Sequence, residues 1–318
     1  MKYIFILLFF LSSMVANSNL LEIYRTSGIN GVELFLNKQL AEKSFWLETI
    51  QNKNTSLGYY ESIDNIISAS KNFKNIKIYN TKKDDVTFSS NVVTGEADGD
   101  KEKEGDLKTP LGAYNITQIK TKLDQFYGPL AMVTNYPNRF DKMQGKTGSG
   151  IWIHGFPLSG EREPFTKGCI AMENNQLKEL KKHIPNHKKT LVLIDNEETN
   201  ISKETLATVL SQIFTWKQAW QENNLTKYLS FYDTTFKKSD GKDIKRFTKH
   251  KKAVFARNQP KSIQYKNLNV IPYPNSLGKQ IFKVTFYQVY NAPNYKSKGN
   301  KELYLELSGE QIKIIFET

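Results

Sequence analysis

The chain has 318 residues, of which 39% are hydrophobic and 24% charged, a composition that excludes wholesale disorder and suits about two domains. Its 45 lysines and arginines exceed its 32 aspartates and glutamates, giving a net charge of +13 that leaves nucleic acid, anionic lipid and anionic cell-wall polymer open as partners. A single cysteine excludes an intramolecular disulfide and any cysteine-based zinc finger.

The first 18 residues have the pattern of an export signal. Lys2 precedes an apolar run over residues 4–11, and small residues near Ala16 and Ser18 follow it. An uncleaved anchor is the alternative, but the run is well short of the ~20 residues that a membrane-spanning helix needs. We therefore expect residues 1–18 to be a cleaved signal peptide and the mature protein to have no membrane span.

Helical spacing of apolar residues predicts an N-terminal helical region over residues 19–74, which is compatible with a homodimer through these helices. From Asn75 onwards the apolar residues alternate instead, and turn residues punctuate the chain. Further strands and one short helix are predicted at residues 114–116, 151–153, 174–183 and 191–194. Residues 75–197 are therefore expected to form a mainly β domain.

The chain turns polar around residues 195–202, which indicates a domain boundary. Ser202 is placed to cap a helix whose apolar stripe includes Trp216 and Trp220. Alternating strands are then predicted at residues 282–286, 303–307 and 312–316, with a hairpin turn at residues 308–310. Residues 203–318 are therefore predicted to be an α+β domain.

The lone cysteine is a candidate nucleophile. Thiol catalysis needs a base within hydrogen-bonding reach and donors for the oxyanion. His154 ends a predicted strand, whereas the other three histidines lie among lysines, which makes them poor proton acceptors. Gly168 precedes Cys169 and allows the backbone to approach a substrate closely. A buried structural cysteine is the alternative.

Several motifs in order resemble the L,D-transpeptidase catalytic domain of YkuD type. His154-Gly155, a loop, and Thr-Lys-Gly-Cys-Ile at residues 166–170 resemble the signature of that family. Residues 108–114 and 135–138 resemble its other motifs, so the resemblance covers roughly residues 75–195. It implies a β-sandwich-like domain whose cysteine attacks the peptide bond after the L-centre of a diaminoacid in a peptidoglycan stem.

The resemblance also implies residue roles. Cys169 would be the nucleophile, His154 the base, and the Gly155 carbonyl would orient the imidazole. The amides of Gly168 and Cys169 would form the oxyanion site. Further substrate-binding residues would be Thr166, Lys167, Tyr136 and Trp152.

One departure from the family pattern bears on the reaction. The family usually has arginine after Cys-Ile, where this chain has Ala171, and the missing guanidinium is a carboxylate partner that Lys167 would not reproduce. Here the chain resembles carboxypeptidase-like members from helical and curved Gram-negative bacteria, which trim the terminal D-alanine from tetrapeptide stems and influence cell shape. We therefore expect a periplasmic L,D-carboxypeptidase. The alternatives are a crosslinking L,D-transpeptidase and a non-catalytic cell-wall-binding scaffold.

The C-terminal segment, with aromatic residues over 214–220 and 228–236, resembles the cone-shaped nuclear-transport-factor-2-like (NTF2-like) fold. Basic residues over 249–261 are typical of a solvated surface, although they could hold an anionic glycan strand. The expected partners are peptidoglycan stem peptides and glycan strands. Nucleic acid is not expected, because of the export signal and the lack of a recognition motif. Neither a metal nor a cofactor is expected, since four scattered histidines show no ligand spacing.

Overall fold

The computed structural model describes residues 2–161 and 163–318, with side chains from Asn19 onwards. The prediction of a signal peptide over residues 1–18 lies outside the residues whose side chains are described. Within the described part of the chain, no helix combines the length and apolar character needed to cross a membrane.

The described residues form seven α-helices, fourteen strands and two 3₁₀ turns. The helices are α1 (Lys2–Ala41), α2 (Lys43–Ile50), α3 (Arg139–Met143), α4 (Asn174–Lys182), α5 (Lys203–Gln221), α6 (Leu225–Ser230) and α7 (Ile244–Phe255). The strands are β1 (Tyr59–Tyr60), β2 (Asn65–Ser70), β3 (Asn75–Asn80), β4 (Asp85–Asn91), β5 (Gly112–Lys120), β6 (Ala131–Thr134), β7 (Trp152–Gly155), β8 (Ile170–Met172), β9 (Thr190–Asp195), β10 (Tyr232–Lys238), β11 (Ser262–Pro272), β12 (Gln280–Ala292), β13 (Tyr295–Ser308) and β14 (Gln311–Glu317). The 3₁₀ turns are Gln125–Tyr127 and His187–Lys189.

The first sheet contains eight strands in the order β4-β3-β2-β9-β5-β6-β7-β8. Most neighbours are antiparallel, but β2 pairs with β9 and β7 pairs with β8 in parallel. The predicted strands from Asn75 onwards and the short helix α4 are confirmed. This part of the chain is mainly β, as predicted.

The predicted helical region does not continue to residue 74, and that part of the prediction is wrong. Helix α2 ends at Ile50, and after the short β1 the chain forms β2, which lies in the middle of the first sheet between β3 and β9. Ile66 and Ile67 of β2 are both fully buried. Because both faces of a central strand are covered, its apolar residues do not alternate with polar ones, and its pattern is hard to tell from that of a buried helix.

The second sheet has the order β1-β11-β12-β13-β14-β10 and packs against α5, which confirms the predicted α+β organisation. The Ser202 side chain caps α5 by accepting from the Thr205 amide. The predicted hairpin joins β13 to β14. Strand β1 comes from the N-terminal part of the chain, and Trp46 and Ile50 of α2 are buried in the same core as α5.

The two sheets share a core. Phe140 of α3 stacks on Tyr304 of β13 with 4.3 Å between ring centroids. The side-chain amide of Asn138 donates to the Tyr273 hydroxyl at 2.9 Å, and that hydroxyl donates to the Asp141 carboxylate at 3.0 Å. Removing residues 203–318 would expose this apolar surface and leave buried polar groups without partners, so function is better probed with point variants than with a truncation.

Candidate active site

Two adjacent strands bring the predicted nucleophile and base together. In the parallel pair of β7 and β8, His154 lies opposite Ala171, and Cys169 immediately precedes β8. Ile153 and Ile170 are fully buried and hold the two strands in the core. The loop that carries Cys169 therefore leads directly into the strand paired with that of His154, although the two residues are fifteen positions apart in the sequence.

The imidazole of His154 is held in one orientation. The side chain is only 4% exposed, and Nδ1 lies 2.7 Å from the carbonyl oxygen of Gly155. Because a carbonyl can only accept, Nδ1 carries the proton and donates it, which leaves Nε2 as the acceptor. Burial lowers the pKa of His154 below its ordinary value, although the Gly155 carbonyl opposes this shift. The ring is therefore neutral and ready to take a proton at pH 7.

Gly155 has no room for a side chain. A Cβ built on this residue would lie 2.1 Å from Oδ1 of Asn174, 2.9 Å from Cδ of Pro129 and 3.2 Å from the Cα of Gly128. The glycine thus allows close packing at the point where the backbone carbonyl meets the imidazole.

We expect Gly155→Ala to lower catalytic turnover by roughly 10- to 100-fold and to destabilise the fold by about 1–3 kcal/mol, because the added methyl displaces the carbonyl that orients His154. Thermal unfolding and turnover would be measured on the same preparations. Gly299→Ala is the matched control, since nothing lies within 4 Å of a Cβ there. Equal behaviour of the two variants would contradict the positioning role of Gly155.

The thiol of Cys169 is half-buried and donates to the carbonyl of Gly150 at 3.3 Å. Burial raises its pKa, while the Trp152 amide and the Lys101 ammonium oppose the rise. Lys101 is itself buried and forms an ion pair with Asp106 at 2.6 Å, which helps hold the pKa of that carboxyl at about 2. The resting protein therefore holds a thiol, which must lose its proton when it attacks.

The loop before Cys169 is shaped by Thr166 and Gly168. The Thr166 hydroxyl donates to the carbonyl of Cys169 at 2.7 Å and accepts from the Gly168 amide at 3.0 Å. Gly168 has φ 127°, and a Cβ there would lie 2.7 Å from the carbonyl oxygen of Lys108. The Gly168 amide therefore has a partner within its own loop, and the oxyanion role of the Gly168 and Cys169 amides stays a prediction.

The remaining predicted substrate residues separate into different environments. Trp152 is half-buried and lies against Tyr127, whereas Lys167 is exposed. Tyr136 is only 4% exposed, and its hydroxyl donates to the backbone carbonyls of Thr147 and Lys101. Its hydrogen bonds go to the interior of the protein, and a contact of Tyr136 with substrate stays a prediction.

An aromatic pair beside His154 was missed by sequence reasoning. The ring of Tyr127 lies 5.2 Å from the imidazole, and that of Phe126, which is 57% exposed, lies 6.4 Å from it. Asp124 caps this 3₁₀ turn by accepting from the Phe126 amide. The cap is visible in the sequence, but nothing local places the turn next to a histidine almost thirty residues later. Among the described residues, no group of His, Cys, Asp and Glu is arranged to hold a metal.

Comparison with known proteins identifies two domain families. Residues 65–194 match the L,D-transpeptidase catalytic domain (YkuD), and residues 208–318 match the Cds6 C-terminal NTF2-like domain. The chain is 33% identical over 82 residues to the Escherichia coli protein YafK, a match that spans only 30% of the length of that relative.

Two solved structures resemble most of the chain. One is the helical cell shape determining protein Pgp2 from Campylobacter jejuni, with 38% identity, a TM-score of 0.80 and coverage of 87% of this chain and 99% of that one. The other is Bd1075 from Bdellovibrio bacteriovorus, with 26% identity, a TM-score of 0.68 and coverage of 83% and 96%. The chain therefore belongs to the family of L,D-transpeptidase (YkuD) catalytic-domain proteins that carry a C-terminal NTF2-like domain.

Proposed function

We propose that the protein is a periplasmic L,D-carboxypeptidase that removes the terminal D-alanine from tetrapeptide stems of peptidoglycan and so influences cell shape. The observation that carries the chemistry is the arrangement of His154 beside the Cys169 loop, with Nδ1 fixed by the Gly155 carbonyl. The likeness to a helical cell shape determining protein over most of both chains supports the cellular role.

The reaction follows from this arrangement. As the Cys169 sulfur attacks the carbonyl carbon before D-alanine, the thiol proton passes to Nε2 of His154 and the peptide carbonyl becomes an oxyanion. The imidazolium then gives that proton to the leaving amine, the peptide C–N bond breaks, and a thioester remains. Water attacks the thioester carbonyl as His154 removes its proton, the C–S bond breaks to release the tripeptide, and the imidazolium returns the proton to the Cys169 sulfur.

The choice of water as acceptor rests on the residue after Cys-Ile. A transpeptidase must hold a second amine in line and exclude water, which takes additional contacts. Ala171 is 4% exposed and lies directly opposite His154 on the neighbouring strand, and its side chain has no hydrogen-bonding group. The lack of a guanidinium at this position favours hydrolysis over crosslinking.

The purified protein would be incubated with a disaccharide tetrapeptide, and the products followed by mass. We expect disaccharide tripeptide and free D-alanine in equal amounts. Stable crosslinked dimers would replace this proposal with the transpeptidase alternative, and unchanged substrate would leave the non-catalytic scaffold.

We further propose that the unit formed by residues 203–318 binds the cell wall and does no chemistry. This segment holds 20 of the basic residues of the chain but only nine of the acidic ones. It contains a cavity of about 510 Å³ whose lining has several basic and aromatic side chains and two carboxylates, Asp240 and Glu317. Inside it, the Lys251 ammonium lies 4.5 Å from the ring of Trp220 and 5.1 Å from that of Phe247. A half-buried cation in a cavity with more basic than acidic side chains suits an anionic ligand, such as a stem carboxylate.

Binding to intact sacculi is expected to weaken as the pH rises from 7 to 9. Burial lowers the pKa of Lys251 to about 8, so its charge is lost over this range. Unfolding would not explain the loss, because the unfolded lysine titrates near 10.5 and the free energy of unfolding therefore rises above pH 8.

Lys251→Ala should bind weakly at every pH in a sacculus pull-down, while turnover of small soluble muropeptides stays unchanged. Lys249→Ala is the control, since this lysine lies exposed on the same helix α7. A wild-type pH dependence that persists in Lys251→Ala would assign the effect to another group.

A further inference from the structure

In the first sheet, four residues paired across neighbouring strands form a row that places a lysine on the same face as the catalytic base. Lys120 of β5 lies opposite Ala131 of β6, Ala131 lies opposite His154 of β7, and His154 lies opposite Ala171 of β8. Residues directly opposite one another in neighbouring strands point to the same face of a sheet. The two other members of the row are alanines, so no long side chain of the row separates Lys120 from His154.

Aromatic rings support the ammonium group of Lys120. Its Nζ lies 4.8 Å from the ring centroid of Trp152, and Trp152 lies 4.8 Å from Tyr127, which in turn contacts His154. Among the described residues, Lys120 forms no ion pair. A half-buried cation held on an aromatic ring beside a reactive centre has its charge available for an anionic ligand.

The distance across the row limits which group of a substrate could reach this cation. Two strand spacings of about 4.8 Å separate Lys120 from His154, so the backbone positions are roughly 10 Å apart. An extended peptide advances about 3.5 Å per residue, so a carboxylate one or two residues from the scissile bond lies at this reach. Peptidoglycan stems carry such carboxylates on their γ-linked glutamate and on their diaminoacid.

We propose that Lys120, held by Trp152, binds a side-chain or α-carboxylate of the acyl-donor stem and takes the charge-recognition role left open by Ala171. This inference rests on the proposed action on peptidoglycan stems and adds a specificity-determining residue to it. The pairing places a positive charge two strands from His154, on the side opposite Ala171, and thereby defines the direction in which the stem crosses the sheet.

The test compares stem binding and turnover for Lys120→Gln, Lys120→Arg and the control Lys122→Gln, whose lysine is exposed two residues further on. With a tetrapeptide that has free carboxylates, Lys120→Gln should raise KM about tenfold with little change in kcat, because a charge-assisted hydrogen bond is lost from binding. Lys120→Arg should restore most of the affinity, and Lys122→Gln should match the wild type.

Two amidated tetrapeptides locate the carboxylate: one amidated at the glutamate, the other at the diaminoacid. The Lys120→Gln defect should disappear with one of them, since that substrate no longer offers the charge. An equal defect with all three substrates, or no defect, would overturn the proposal. Calorimetric binding of the same stems to variants in a Cys169→Ala background repeats the comparison without turnover. If the wild type does not cleave stems, the proposed carboxypeptidase activity is contradicted, but this binding measurement still tests the role of Lys120.

Discussion

Replacement of Cys169 by alanine is expected to abolish turnover of tetrapeptide stems, with a loss of at least roughly 10⁴-fold in kcat. No other thiol exists in the chain, and the acyl-enzyme needs a sulfur that can form and release a thioester. The fold should persist, because the thiol has one hydrogen bond, to the Gly150 carbonyl, and the change removes a single sulfur atom. Turnover would be followed by release of D-alanine, and the fold by circular dichroism and thermal unfolding.

Mass spectrometry of the intact protein supplies an independent control for the nucleophile. Wild-type protein quenched during turnover should carry the added mass of the tripeptide acyl group, which is the tripeptide less one water, and Cys169→Ala should lack it. Turnover in the variant within tenfold of the wild type would remove Cys169 from the mechanism, whatever the adduct pattern.

His154→Ala is expected to lower kcat/KM by about 10²- to 10⁴-fold, the usual range for loss of a general base. The effect is large because burial raises the pKa of Cys169, so the resting protein has little thiolate to attack without a proton acceptor. His250→Ala is the matched control, since this exposed imidazole lies in the C-terminal segment and should leave turnover of soluble muropeptides unchanged.

The pH profile distinguishes loss of a base from loss of structure. Wild-type kcat/KM should fall only below about pH 6.5, because burial lowers the pKa of His154 and the neutral ring persists to more acidic pH than an exposed histidine would allow. In His154→Ala the remaining rate should instead climb with pH towards the raised pKa of the thiol. A variant profile parallel to that of the wild type would mean that another group takes the proton.

Much of the candidate site could be read from local sequence. His154-Gly155 and the segment around Cys169 stand out because each chemical role needs a particular residue type at a fixed position on a strand or loop. The reason Gly155 must be a glycine is not local, since it is the close approach of Asn174 that leaves no space for a Cβ. The Ser202 cap and the hairpin at residues 308–310 were equally predictable, because both depend on hydrogen bonds and backbone angles within a few residues.

Other properties of the site depend on residues that meet only in the folded chain. Phe126 and Tyr127 reach His154, and Lys120 aligns with it, through the pairing of β5, β6 and β7. The Gly168 amide donates to the Thr166 hydroxyl, a contact that the motif alone does not reveal.

The sequence by itself determined the mainly β part and the α+β part and singled out Cys169 and His154 as the predicted catalytic pair, because periodicity, capping and motif spacing are local. Only the tertiary structure decided that β2 is a central strand, that Tyr136 points inward and that Lys251 is a half-buried cation with a lowered pKa. Strand partners and solvent access are set by segments far apart in the chain. Burial by those distant partners changes the pKa of a charged side chain and fixes which side chains pack together. A local sequence pattern therefore cannot predict either property.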